Sequence, residues 1–167
     1  MPPRENAAQG VHADRPHVGV EIPGAPVGSL LLQVGRAHAR VGTSLLGRVG
    51  IAPPHEIVLL YLDEHRPVSQ TELVHYLGRD RSTVTATLQA MERANLIERT
   101  SSALDRRQMM VELTDHGRAM LAPAKKAWQA LEALTTTALT GAQRAQLIVL
   151  LEAVRDTLNG AEIDDDL

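Results

Sequence analysis

The chain has 167 residues, of which 44% are hydrophobic and 2% aromatic, with a formal net charge of −3. A chain of this length can bury a core, and because aromatic side chains are scarce that core must be aliphatic, which favours helices. The absence of cysteine excludes disulfides and thiolate metal sites, and without an apolar run near the roughly 20 residues of a membrane span, or the apolar segment of a signal peptide, we expect a cytoplasmic protein with no membrane contact.

The N-terminal segment is rich in proline. Residues 1–28 hold five of the nine prolines of the chain, and we expect an irregular arm there, either a mobile tail or an arm that packs on a partner subunit. Apolar side chains then recur at helical spacing from Leu30 to Leu45, which predicts a first helix over residues 29–49.

A second helix is predicted between two proline positions. Pro53 and Pro54 can open it, because proline is tolerated in the first turn, and it ends near His65. Its predicted inner face consists of three residues, Ile57, Leu60 and Tyr61.

Two short helices joined by a tight turn come next. Ser69 and Glu72 have the spacing of a capping box at the start of one helix, and Gly78 can take the left-handed conformation that ends it. Asp80 can cap the following helix, which runs from Arg81 to about Ala94, and Asn95 can take the left-handed conformation that closes it. Two short helices separated by a glycine-containing turn are typical of a helix-turn-helix.

The pattern then changes from helical to extended. Residues 97–100 and 109–113 read as two strands around a polar loop, so a β-hairpin is predicted. Thr114 can cap a long helix after it, and Thr140 with Gln143 forms a second capping box before a last helix. Both final helices are rich in leucine and alanine over more of their surface than one small domain can cover, which indicates burial against another chain.

The helix that begins at Arg81 has one apolar face and one polar face. Val84, Leu88 and Met91 fall together and belong to the core. The opposite face is small and polar, and lies in a segment, residues 69–118, where seven arginines balance seven acidic residues. Such a face can enter a major groove without repelling phosphate. It consists of Ser82, Ala86, Gln89 and Arg93, with Thr83 and Thr85 on its flanks.

With the hairpin, these residues resemble the MarR (multiple antibiotic resistance regulator) family. The resemblance covers roughly residues 29–158. Its first part consists of residues 69–73, 77–78, 80–85 and 96–99, and its second part, in the hairpin, of Asp105, Arg107, Val111, Leu113 and Thr114.

The resemblance implies a mainly α fold with a small β-hairpin wing, in which a winged helix-turn-helix at residues 53–114 joins a helical dimerisation region at residues 29–50 and 115–160. An acidic tail at 161–167 would follow. The homodimer would bind a pseudo-palindromic site in double-stranded DNA, with a helix of each subunit in the major groove and Arg107, steered by Asp105, in the minor groove. The expected DNA-binding residues are Arg81, Ser82, Thr83, Thr85, Ala86, Gln89, Arg93, Asp105, Arg106 and Arg107.

Members of this family often respond to small phenolic or carboxylate ligands, so we expect a small anionic aromatic effector, either a carboxylate or a phenol, that releases the repressor from DNA. Arginine pairs well with a carboxylate. The alternative is that Arg36 and Arg40 form a solvated or interface surface. The candidate effector residues are Arg36, His38, Arg40, His55 and Tyr61.

Other classes of function lack their sequence signals. The chain has no phosphate-binding loop, no hydrolase nucleophile motif and no histidine pair at helical metal-site spacing. We therefore expect no enzymatic activity, no cofactor and no metal. The remaining alternative is a winged-helix module that binds protein rather than specific DNA, which the neutral charge of residues 69–118 favours.

Overall fold

A computed structural model of the chain describes residues 19–65, 67–102, 105 and 107–161. These residues contain six helices and three short strands, and the chain divides into two compact units, Met1–Ala39 and Arg40–Leu167. None of the helices in the described ranges is long and apolar enough to cross a membrane. The helices are α1 Pro26–Gly47, α2 His55–Glu64, α3 Gln70–Leu77, α4 Arg81–Arg93, α5 Asp115–Thr136 and α6 Gly141–Asn159, and the strands are β1 Val68–Ser69, β2 Ile97–Ser101 and β3 Met109–Leu113.

The first unit contains the start of α1 and the described residues before it. Helix α1 begins at Pro26, inside the predicted arm. At the first position of a helix proline does not break the helix but is well suited to start it. Ser29 is buried and its Oγ accepts a hydrogen bond from the Ile22 backbone N–H at 2.8 Å. Gln33 Nε2 donates to the Val20 carbonyl at 3.0 Å. Residues 20–25 are therefore attached to α1, and the remainder of the arm, residues 1–18, lies outside the described residues.

The second unit contains a winged helix-turn-helix. Strand β3 lies between β1 and β2, and both pairings are antiparallel. The pair Val68–Val111 ties β1 to the hairpin. Strand β1 was not predicted, because two residues are too few to show an alternating pattern. The predicted fold class, mainly helical with a β-hairpin wing, is confirmed.

The core of the second unit lies under the helix-turn-helix. The predicted inner residues of α4 (Val84, Leu88, Met91) are all buried at 1% exposure or less. On α2 the predicted inner face is wrong, since Val58, Leu59 and Leu62 are buried whereas Ile57, Leu60 and Tyr61 are only partly so. The whole stretch 57–62 is apolar, so its periodicity could not identify one face, and α2 packs against two separate clusters.

Helix α4 ends in a hydrogen-bonded C-cap built on a left-handed residue. Asn95 has φ +55°, as its position after the helix predicted. Its N–H donates to the Glu92 carbonyl, and the Leu96 N–H donates to the Met91 carbonyl, both at 2.9 Å. This pair of bonds is a Schellman motif, which directs the chain out of α4 into β2.

Two helices leave apolar surface exposed in the single chain. No residue of α6 is buried, and Ile148, Val149 and Leu150 are each about half exposed or more. In the first unit, Leu30 and Val34, two of the apolar residues that recur at helical spacing on α1, are also exposed, at 59% and 57%. Contiguous apolar side chains are unfavourable in water, so exposed surfaces of this kind indicate sites of interaction with another molecule or segment.

Candidate nucleic-acid interface

Helix α4 presents the polar face that its sequence predicted. Ser82, Ala86, Gln89 and Arg93 are all exposed, on the side opposite the buried residues. Thr83 is exposed and Thr85 half-buried, which agrees with their predicted positions on the two flanks. The face can therefore approach another molecule without disturbing the core.

Asp80 organises the first turn of α4. One of its carboxylate oxygens accepts the Thr83 backbone N–H at 2.9 Å and the Ser82 hydroxyl, and the other accepts the Thr83 hydroxyl at 2.6 Å. These hydrogen bonds from Ser82 and Thr83 hold the pKa of Asp80 well below its usual range. The carboxylate therefore stays ionised and saturated at the N-terminus of the helix, where negative charge is favourable.

The turn of the wing is held by Asp105 through the backbone. Its carboxylate Oδ1 accepts the Arg107 backbone N–H at 2.9 Å, and its carbonyl accepts the Gln108 N–H at 2.9 Å. We expected Asp105 to steer Arg107, but in the described ranges its carboxylate makes no bond to the Arg107 guanidinium. The short aspartate side chain instead reaches the backbone two residues on. Arg107 is exposed, and Arg106 lies outside the described residues.

An ion pair that sequence reasoning missed joins α4 to the wing. Arg99 on β2 donates from Nη2 and Nε to Glu92 Oε2, at 2.6 and 3.0 Å. The side chain of Arg99 is 17% exposed, so the pair is partly shielded from water. A helix-to-strand pair has no fixed sequence spacing, and only the fold reveals it.

The acidic residues near α4 are largely occupied by local partners. Asp80 is bound by the start of α4, Glu92 by Arg99, and Asp115 by Arg118 at 2.9 Å. In contrast, the described ranges contain no ion-pair partner for the three exposed arginines Arg81, Arg93 and Arg107. The equal count of charges therefore leaves positive groups available on the surface that α4 and the hairpin share.

The candidate effector residues are divided between the two units. Arg36 and His38 belong to the first, and Arg40, His55 and Tyr61 to the second. His55 is half-buried, and its burial lowers its pKa, which favours the neutral imidazole. Tyr61 stacks on Tyr76 with ring centroids 3.9 Å apart. Within the described ranges no cluster of three histidine, aspartate or glutamate side chains could hold a metal ion.

The Tyr61 hydroxyl also accounts for a departure from the predicted capping box. Ser69 Oγ accepts the Glu72 N–H at 3.1 Å, as predicted. The Glu72 carboxylate, however, accepts a hydrogen bond from Tyr61 Oη at 3.1 Å instead of capping Ser69 in return. Tyr61 is thus tied to α3, the first helix of the helix-turn-helix.

Glu56, next to His55, is a buried acid that sequence reasoning overlooked. It is 4% exposed, and its Oε2 has no hydrogen-bond partner in the structure. Burial raises the pKa of its carboxyl above the ordinary 4.5. A charged residue at the start of an amphipathic helix is normally solvated, so the sequence contains no signal for this burial.

The raised pKa makes the stability of the fold depend on pH. A carboxyl whose pKa is higher in the folded state stabilises the fold fully below pH 4.5, and this contribution is lost as pH rises through the folded value. We expect Glu56→Gln to remove that loss, so that the variant gains on the order of 1 kcal/mol relative to the parent between pH 4 and 8. Urea unfolding at several pH values measures it. Glu64→Gln, on the exposed side of α2, is the control. Parallel stability curves for parent and Glu56→Gln would refute the assignment.

Comparisons with known proteins agree with this architecture. The model of the MarR family matches residues 49–108. The HTH-type transcriptional repressor NicR of Pseudomonas putida is 24% identical over 131 residues, which are 78% of this chain and 83% of that protein. The organic hydroperoxide resistance transcriptional regulator of Bacillus subtilis is 32% identical over 88 residues, 53% of this chain and 60% of that protein.

Solved structures resemble the chain over most of its length. A mutant MarR from E. coli complexed with operator DNA superposes with a TM-score of 0.73 at 26% identity, covering 77% of this chain and 93% of that one. Bordetella bronchiseptica BpsR, whose DNA binding is regulated by 6-hydroxynicotinic acid, superposes with a TM-score of 0.74 at 22% identity. The match covers 86% of this chain and all of that one.

Proposed function

Because this chain belongs to the MarR family of transcriptional regulators, we propose that it binds a pseudo-palindromic operator as a homodimer and releases it when a small aromatic acid binds. The observation that carries the proposal is the exposed polar face of α4, which lies opposite its buried face and is linked to the wing through the Glu92–Arg99 pair. A relative of similar fold is crystallised on operator DNA.

In this proposal α4 lies in the major groove and the hairpin follows the adjacent minor groove. Gln89 can form a bidentate contact with adenine, and Arg81 and Arg93 can reach bases or phosphates. Arg107, and Arg106 beside it, would meet the narrow, electronegative minor groove. Asp105 would contribute indirectly, by fixing the turn that carries Arg107.

A homodimer would account for the exposed apolar surface. The leucine-rich surface of α6 and the exposed Leu30 and Val34 of α1 would be buried against a second copy of the chain. A two-fold dimer would also present two symmetry-related α4 helices, and a pseudo-palindrome with half-sites about one DNA turn apart would match such a pair.

A salt titration distinguishes this proposal from a winged-helix module that binds protein. The affinity for a labelled duplex from the DNA upstream of the gene is measured by fluorescence anisotropy at salt concentrations from about 50 to about 200 mM. A DNA-binding dimer loses affinity steeply, by on the order of 1,000-fold, because phosphate contacts release counterions. No binding, or binding insensitive to salt, would favour the protein-interaction module.

The proposed effector is an aromatic ring that carries a carboxylate or phenolate. The regulation of BpsR by 6-hydroxynicotinic acid, a hydroxylated aromatic carboxylic acid, supports this class. We propose an arginine of α1, Arg36 or Arg40, as the partner of the carboxylate, and we also propose His38, His55 and Tyr61 as contacts.

Calorimetric titration with a panel of aromatic acids tests the effector residues. At least one acid is expected to bind the parent, and Arg36→Ala or Arg40→Ala is expected to weaken it by about 10- to 100-fold, as for loss of a charged hydrogen bond. Arg48→Ala, another exposed arginine, is the control. Equal affinities for parent, Arg36→Ala and Arg40→Ala would exclude both arginines.

A further inference from the structure

The hydroxyl groups of Ser82, Thr83 and Thr85 on α4 each donate a hydrogen bond inside the protein. Ser82 and Thr83 donate to the carboxylate of Asp80. Thr85 Oγ1 donates to the carbonyl oxygen of Arg81 at 2.7 Å. A hydroxyl has a single proton. None of these three side chains can therefore donate a hydrogen bond to DNA without breaking one of these internal bonds.

Thr85 is constrained further by a contact between the two helices of the helix-turn-helix. Gln70, the first residue of α3, donates from Nε2 to Thr85 Oγ1 at 2.9 Å. The oxygen is thus held between the backbone of α4 and an amide from α3. Because threonine is β-branched, fixing the oxygen also fixes the position of the γ-methyl group.

The half-buried position of Thr85 determines what it can offer. Its side chain lies on the flank of α4, beside the exposed Ala86 and Gln89. The hydroxyl has donated its proton and accepted one bond, so it keeps a single acceptor position, and the γ-methyl is the apolar group that Thr85 can offer to an outside partner. In the major groove, the apolar partner of a methyl group is the C5-methyl of thymine.

We propose that Thr85 reads the C5-methyl of a thymine through its own γ-methyl, and that Gln70 is the positioning residue that holds Thr85 in this orientation. The inference rests on the proposed function, because it requires α4 to lie in the major groove. It adds a residue of α3 to the determinants of sequence specificity and assigns a base to one position of each half-site.

Substitution of thymine by uracil removes only the C5-methyl, and so isolates this contact. The full-length protein is titrated against its operator with each thymine replaced in turn, symmetrically in both half-sites. One position is expected to lower the affinity of the parent about four- to fifteenfold, as for partial to full loss of a buried methyl contact in each subunit.

Two variants of Thr85 separate the methyl from the hydroxyl. Thr85→Val keeps a methyl and removes the hydroxyl, so it should still discriminate thymine from uracil. Thr85→Ser keeps the hydroxyl and removes the methyl, so it should bind both duplexes equally. Gln70→Ala should reduce the discrimination in the parent but have no effect on it in Thr85→Val.

The opposite pattern would overturn the inference. If Thr85→Ser discriminates and Thr85→Val does not, the hydroxyl makes the contact. If the parent binds its operator but no thymine-to-uracil change matters, Thr85 reads no methyl. Both results leave the proposed function intact, whereas failure of the parent to bind any duplex would refute that function itself. Circular dichroism of each variant establishes that it is folded.

Discussion

Replacing Gly117 with alanine is expected to destabilise the winged-helix unit by about 3–5 kcal/mol, the range of a severe core clash. A Cβ atom at this position would lie 1.9 Å from the carbonyl oxygen of Leu96, and 3.3 Å from Leu113 Cδ2. The Leu96 carbonyl cannot move away easily, because it accepts the Thr114 N–H at 3.2 Å and follows the C-cap of α4.

Thermal unfolding at one fixed protein concentration measures this effect. The loss should lower the midpoint by on the order of 10 °C or more. Gly141→Ala is the matched control, since a Cβ at Gly141 meets no atom within 4 Å and this residue opens α6. If Gly117→Ala unfolds at the same temperature as Gly141→Ala, the close approach of α5 to Leu96 is wrong.

Replacing Arg107 with alanine is expected to reduce operator affinity on the order of 100-fold. The residue is exposed on a turn that Asp105 fixes, and a dimer would lose one charged contact in each subunit. Anisotropy titrations at several salt concentrations measure both the affinity and its salt dependence. Because each arginine near phosphate contributes about one released counterion, the salt slope should also fall by about 2 per dimer.

The control for Arg107 removes the same charge elsewhere. The control variant is Lys126→Ala. Lys126 is exposed in the middle of α5, roughly 16 Å along the helix from its first residue. It should retain most of the affinity. If Arg107→Ala and Lys126→Ala lose the same amount, the hairpin makes no specific contact and only the total charge of the protein matters.

Local side-chain chemistry made part of the fold predictable from sequence. Asp80 caps α4, Thr114 caps α5, and Thr140 with Gln143 forms the capping box of α6, as their residue types and spacing predicted. Asn95 takes the left-handed conformation expected after α4. Each of these features forms between residues that are close together in the sequence, so residue type and spacing are enough to predict it.

The errors have local causes in some places and tertiary causes in others. Pro26 opens α1, although the proline-rich composition indicated an arm that continued to residue 28. The continuous apolar run of α2 concealed which side faces the core, and burial of Glu56 depends on neighbouring elements. The Asp105 carboxylate binds a backbone N–H because geometry, and not charge alone, selects its partner.

The exposed polar face of α4 was predictable to the same degree. The exposed face from Ser82 to Arg93 follows from helical periodicity, so the sequence is enough to predict it. Gln70 was not, because its contact with Thr85 spans 15 residues and joins two helices. Periodicity within one helix cannot predict which residues of another helix orient its exposed face.

Selection of binding sites from random duplexes, followed by sequencing, tests the central claim most directly. The purified full-length protein should enrich one pseudo-palindrome whose half-sites are centred about 10 base pairs apart, the spacing that a two-fold pair of α4 helices requires. Enrichment of no sequence, or of a single half-site without its symmetric partner, would contradict a dimer that reads DNA through α4 and its wing.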